Sequence, residues 1–365
     1  QPAQRGCSSV DTHSGRDQVV TMSASPTYLL ERPAVRWLLT IVYSALILLV
    51  SAVRFLFIGS RLIKITDHKM PEKLQKNYQH GFVKLASGLK LHYVEKGPKD
   101  GPLMLLVHGF PEFWYSWRFQ IAHFSKTHRV VAIDMRGYSE SDKPEGIESY
   151  QLDVLATDIK QCIEALGHSK AAVLGGHDWG GLVSWRTALL FPDLIDRLFI
   201  CNCPHPGIFR QTIRSSFTQA LMSWYIYFFQ MPRLPEFLLA ADDFAIFEKM
   251  FYEGAGALCN KENLTPSDLE AWKHTYSQPG ALTPVLNYYR ALLQVPPDVT
   301  PYDIVKVKTL VLWGENDVAL SREMGRESAE ACRDGRCIYV PNASHWLQQD
   351  LPDVVNREVA KFIKE

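Results

Sequence analysis

The chemistry in this chain is concentrated at Gly176-His177-Asp178-Trp179-Gly180. Gly-x-nucleophile-x-Gly, after an apolar strand-like run and before a helical one, is the spacing of a nucleophile elbow. The two glycines let a tight turn form and expose the central side chain, which here is a carboxylate instead of a hydroxyl or thiol. Attack by a carboxylate on an ester or amide would give an anhydride, a poor intermediate. At an sp³ carbon bearing a leaving group, the same carboxylate forms an ester by displacement. Two leaving groups suit that step: the alkoxide of a strained epoxide, or a halide. Asp178 therefore points away from acyl transfer and towards alkyl transfer onto itself.

An ester formed on Asp178 must be hydrolysed, which calls for a base to activate water and an acid to orient that base. In the order nucleophile, acid, histidine, Asp317 follows in Gly314-Glu315-Asn316-Asp317, and His345 lies in Asn342-Ala343-Ser344-His345-Trp346. Glu315 is the rival to Asp317 and is expected to be exposed. The oxyanion of the hydrolytic step calls for two backbone N–H groups. Trp179, next to the nucleophile, supplies one, and Phe110, in the loop His108-Gly109-Phe110, supplies the other. His108 is expected to be structural. A departing alkoxide also needs a proton, and a tyrosine facing Asp178 suits this task. Candidates are Tyr225, Tyr227, Tyr252, Tyr276, Tyr288 and Tyr289; spacing does not choose among them.

These groups need a scaffold. Leu103–Val107, Arg129–Asp134, Ala171–Leu174, Leu198–Cys201 and Thr309–Trp313 read as strands, and Asp153–Leu166 as a helix closed by Gly167. Strands alternating with helices predict an α/β fold, a mostly parallel sheet flanked by helices. Residues 206–295 break the alternation with aromatic-rich helical patterns, as an inserted helical lid would. The expected organisation is a hydrolase core over 76–205 and 296–365, with the lid between.

Ahead of the core, Trp37–Val53 is a run of 17 residues without a charge, close to the roughly 20 needed to cross a bilayer. A transmembrane anchor is expected over 33–59, with residues 37–59 in contact with lipid, and a disordered polar tail over 1–32, in which Met22 would make a natural start. Lys and Arg are denser after the run (Arg54, Arg61, Lys64, Lys69, Lys73) than before it (Arg32, Arg36), which favours a cytosolic catalytic part. Seven cysteines without paired spacing suggest reduced thiols. The sequon at Asn342 lies beside His345, where a glycan would obstruct chemistry. Formal net charge is zero, so nothing suggests nucleic acid as a partner.

His108-Gly109-Phe110-Pro111-Glu112-Phe113-Trp114, Gly176-His177-Asp178-Trp179-Gly180-Gly181 and Ser344-His345-Trp346 together resemble the epoxide hydrolases of the α/β-hydrolase fold, over roughly residues 76–365. The anchor, Trp114-Tyr115-Ser116-Trp117-Arg118 and Ser277-Gln278-Pro279-Gly280-Ala281-Leu282 resemble the membrane-anchored animal branch of that family. The resemblance implies two lid tyrosines. Tyr225 matches a Tyr-x-x-x-Phe-Gln pattern and Tyr289 an Asn-aromatic-Tyr-Arg pattern, with Tyr227 and Tyr288 as neighbours in reserve. It further implies vicinal diol products, often from lipid or fatty-acid epoxides, no metal or other cofactor, and an endoplasmic reticulum address. Ser139 stands where relatives often carry glycine. Two rival readings are a haloalkane dehalogenase, which would release halide, and a non-catalytic membrane-bound binding protein on the same fold.

Overall fold

The computed structural model describes residues 33–365; the tail expected over 1–32, with Met22, lies outside the described residues. Eight strands form one sheet: β1 (Gln79–Lys84), β2 (Lys90–Lys96), β3 (Leu103–Val107), β4 (Arg129–Ile133), β5 (Val173–His177), β6 (Arg197–Cys201), β7 (Lys308–Gly314) and β8 (Gly335–Val340). Their order is β1-β2-β4-β3-β5-β6-β7-β8. From β4 to β8 every pairing is parallel, whereas β1–β2 and β2–β4 are antiparallel.

The strands expected from sequence are all present, and β1, β2 and β8 are additional. All five residues of β3 are buried, as expected of a strand covered on both faces. β1 and β8 are edge strands with largely unburied side chains, so they offer no continuous apolar run to read. β5 continues through Gly175 and Gly176 to His177, three residues past the expected end. Glycine usually weakens strands, but here a Cβ on Gly175 would meet the Phe199 ring at 2.2 Å. The bare backbone lets β6 pack close.

Fourteen α-helices accompany the sheet among the described residues. Before the insert come α1 (Pro33–Ile58), α2 (Glu72–Lys76), α3 (Arg118–Phe124), α4 (Leu152–Ala165) and α5 (Asp178–Leu190). In α4, Leu152, Leu155, Ile159 and Ile163 are buried at three- and four-residue spacing, the pattern of a helix with one face on a core. Between β6 and β7 run α6 (Pro206–Ser215), α7 (Phe217–Met222), α8 (Trp224–Phe228), α9 (Leu234–Tyr252), α10 (Pro266–Ser277) and α11 (Leu282–Gln294). α9 is kinked at Ala241–Phe244, where Asp242, Asp243 and Phe244 have positive φ. α10 starts in a reciprocal capping box between Thr265 and Asp268. The chain closes with α12 (Glu323–Glu330), α13 (Leu347–Asp350) and α14 (Pro352–Lys364).

The loop after β4 explains why glycine suits position 139. Ser139 has φ 45°, a left-handed conformation that costs a non-glycine residue roughly 1–2 kcal/mol. Ser139→Gly removes that cost but frees the unfolded chain, an offset of about 0.4–1 kcal/mol. The expected net gain is about 0.5–1 kcal/mol, a rise of about 1–3 °C in Tm by thermal unfolding in detergent.

Candidate active site

Asp178, Asp317, His345 and the Phe110 loop all lie just beyond the carboxyl ends of parallel strands, β5, β7, β8 and β3 respectively. That edge is where open α/β sheets bind ligands. Asp178 occupies the turn itself, at φ 48°, a strained conformation costing on the order of 1–3 kcal/mol that persists only when the surroundings enforce it. Two residues on, a Cβ at Gly180 would stand 2.1 Å from the Val107 carbonyl oxygen. Only glycine lets α5 start so close under β3.

Asp178 is partly exposed, towards a cavity of about 710 Å³ that it lines with His345, Phe110, Tyr225 and Tyr289. The Phe110 N–H donates to Asp178 Oδ1 at 2.7 Å. Trp179 stands in the first turn of α5, where backbone N–H groups have no intrahelical partner. His345 Nε2 faces Asp178 Oδ2 at 3.6 Å, and His345 Nδ1 lies 2.7 Å from Asp317 Oδ2. A carboxylate only accepts, so Nδ1 carries the proton in that bond. Asp317 is itself held on both oxygens. Oδ2 also accepts from Asn202 Nδ2 at 2.7 Å, while Oδ1 accepts from the N–H groups of Ala319 at 2.8 Å and Leu320 at 3.0 Å. Glu315 is exposed and pairs with Arg322 at 2.9 Å.

Charge is balanced locally. Burial alone would raise the Asp178 pKa, but His345, His177 and the Phe110 N–H together hold it below the ordinary carboxylate value. Burial alone would lower the His345 pKa, yet Asp317 and Asp178 hold it well above the usual imidazole value. Both shifts favour the same state, an ionised Asp178 beside a protonated His345.

The six tyrosines separate by position. Tyr288 OH donates to the Arg136 carbonyl at 2.7 Å, Tyr276 OH to the Glu112 carbonyl at 2.9 Å, and Tyr252 OH to the Leu264 carbonyl. Tyr227 is buried on α8, and its carbonyl accepts from Thr40 at 3.0 Å. Tyr225 and Tyr289 stand on the cavity wall with ring centroids 5.8 Å apart, and the Tyr289 ring is 5.0 Å from that of Trp179. Burial, reinforced by the charge of Asp178, raises both phenol pKa values, so both hydroxyls stay protonated.

A layer behind these groups escaped the sequence reading. Glu112 is fully buried and accepts from the Gly109 N–H at 3.0 Å, Gln348 Nε2 at 2.9 Å and Gln349 Nε2 at 2.8 Å. Its Oε2 lies 2.8 Å from His177 Nδ1, and His177 Nε2 lies 2.9 Å from the His345 carbonyl. Despite its burial, Glu112 is held below the ordinary carboxylate value, chiefly by His177. The one available signal was an acidic residue inside the otherwise apolar Gly109-Phe110-Pro111-Glu112-Phe113. His108 is structural in position, fully buried, with Nε2 accepting from the Met135 N–H at 3.2 Å. Among the described residues, one group could gather metal-ligating atoms, His80, His92 and Glu140, and it contains none of the cavity residues above.

The family model described as alpha/beta hydrolase fold matches residues 102–351. An epoxide hydrolase 2 of Caenorhabditis elegans is 47% identical over 300 residues, covering 82% of this chain and 84% of that protein. Human epoxide hydrolase 4 is 44% identical over 289 residues, covering 78% and 79%. A crystal structure of a Bacillus megaterium epoxide hydrolase variant superposes with TM-score 0.70 at 32% identity, covering 79% of this chain and 100% of that one. The chain belongs to the epoxide hydrolases of the α/β-hydrolase fold.

The paired charges make a titration prediction. Asp178→Asn removes one of the two carboxylates that favour the imidazolium, so the His345 pKa falls. Nuclear magnetic resonance titration of the His345 ring should show a lower value in the variant; an unchanged or higher value would contradict the coupling.

Proposed function

We propose that the chain hydrolyses epoxides to vicinal diols through an ester on Asp178. The observation that carries this reading is a carboxylate at the elbow, facing a histidine that is tied to a second carboxylate, with two protonated tyrosines on the wall of the same cavity. An Asp178 oxygen attacks one epoxide carbon. The carbon–oxygen bond breaks, and the oxygen takes a proton from Tyr225 or Tyr289. Ester formation removes the negative charge of Asp178, so the His345 pKa falls and the imidazolium gives up its proton, which restores the tyrosine and leaves a neutral base. His345, oriented by Asp317, then takes a proton from water. The hydroxide adds to the ester carbon, and the N–H groups of Phe110 and Trp179 hold the oxyanion. On collapse the departing oxygen takes the proton from His345 to give the diol, and the carboxyl proton of Asp178 passes to His345, restoring the ionised pair.

The mainly apolar cavity wall supports lipid or fatty-acid epoxides as substrates. The helix Pro33–Val53 is long and apolar enough to cross a membrane, and it supports a membrane-anchored enzyme. The flanking Lys and Arg favour a cytosolic catalytic part, and an endoplasmic reticulum address accords with the anchored branch the sequence resembles.

Covalent catalysis makes an isotopic prediction. In a single turnover in ¹⁸O-water, the label enters the Asp178 carboxylate and the diol stays unlabelled; direct attack of water on the epoxide would label the diol instead. Asp178→Asn gives neither ester nor diol, and His345→Asn accumulates the ester. Release of halide from haloalkanes without diol formation from epoxides would establish the dehalogenase reading.

The tyrosines give a graded test. Tyr225→Phe and Tyr289→Phe each slow ester formation, and the double variant slows it by about 10²–10⁴-fold, the usual worth of general acid catalysis. Stopped-flow alkylation rates measure this. Unchanged rates in the double variant would remove both residues from the mechanism.

A further inference from the structure

One wall of the catalytic cavity comes from neither the sheet nor the insert. Leu46, Ile47, Val50 and Ser51 of α1 line the same space as Asp178 and His345. With a volume of about 710 Å³, the cavity lies in the upper part of the roughly 300–1,000 Å³ range of small-molecule sites. The first half of α1 is held in place by specific contacts. Arg36 Nη1 donates to the Leu293 carbonyl at 3.1 Å and Thr40 Oγ1 to the Tyr227 carbonyl at 3.0 Å, while the Tyr43 and Trp224 rings lie 6.1 Å apart. The last two contacts fall on α8, the helix that carries Tyr225.

The sequence of α1 follows this arrangement. Arg36, Thr40, Ser44, Ile47 and Ser51 are buried or half-buried and recur every three or four residues, so they share one face. Four of the five are polar, which an anchor surrounded by lipid would not need. Away from that face, Leu38, Ile41, Leu48 and Leu49 are exposed. Phe217, Leu221, Trp224 and Phe237 on α7, α8 and α9 are exposed as well, which extends the apolar surface across the insert. Apolar patches of this kind mark a membrane or partner contact.

We propose that α1 is part of the substrate site. The apolar chain of a long-chain epoxide lies against Leu46, Ile47 and Val50 while its ring sits between Asp178 and the tyrosines. The substrate passes from the bilayer into the cavity between α1 and α9, so the helix that holds the enzyme at the membrane also selects for chain length. This inference rests on the epoxide-hydrolase reading, and its test separates the two.

The full-length protein in phosphatidylcholine vesicles is assayed with cis-9,10-epoxyoctadecane and with styrene oxide. Ile47→Trp, which fills the wall, is expected to lower the ratio of kcat/KM for the long over the short epoxide at least tenfold. The outward-facing Leu38→Trp is expected to leave that ratio unchanged. Independently of any variant, a long-chain epoxide with a terminal diazirine is photolysed on the wild-type protein, and labelling is expected within the tryptic peptide 37–54. Diol from both epoxides, an unchanged ratio in Ile47→Trp and no label in that peptide would overturn the role of α1 alone. No diol from either epoxide in the wild type would overturn the activity on which it rests.

Discussion

The structure depends on keeping a carboxylate ionised on the wall of a largely apolar cavity. Burying an unpaired charge is strongly unfavourable, and a protonated Asp178 would be no nucleophile. The surrounding groups answer that constraint from several directions. The Phe110 N–H binds one oxygen, and the His345 ring faces the other. α5 begins at Asp178, which sets the positive end of the helix dipole under the charge. His345 carries the compensating positive charge and is fixed by Asp317, whose own lone pairs are occupied by Asn202 and two backbone N–H groups.

The constraint extends inward through Glu112. This residue joins the Phe110 loop, through the Gly109 N–H, to His177 and to the paired glutamines after His345. Three chain segments far apart in sequence therefore share one buried charge, and the loop that offers an oxyanion donor is in register with the elbow and the base. A buried, fully bonded network of this kind favours a single arrangement because any partial one leaves a charge unsatisfied.

Much of this was legible in the sequence, for identifiable reasons. Asp178, Asp317 and His345 stand at ends of strands, in glycine- or loop-flanked motifs whose chain order is itself informative. The central strands read easily because both of their faces are covered. β1 and β8 did not, because an exposed edge removes the apolar run, and β2 did not, because the buried polar residues His92 and Glu95 interrupt it. Spacing left six tyrosines equivalent; three-dimensional packing engages the hydroxyls of Tyr252, Tyr276 and Tyr288 with carbonyls and leaves Tyr225 and Tyr289 on the cavity wall. Glu112 and Asn202 went unread because their importance lies in partners distant along the chain. The polar positions of α1 recur at helical spacing and so share a face, but what that face packs against lies far along the chain.

That shared face bears on how α1 can change over evolutionary time. Residues turned towards lipid need only remain apolar, so they can exchange freely among Leu, Ile, Val and Phe. Arg36 and Thr40 answer instead to particular carbonyls, Ile47 and Ser51 to the volume of the cavity, and Ser44 to its burial. Divergence along α1 would then rise and fall with the helical repeat, whereas a simple anchor would drift evenly along its length.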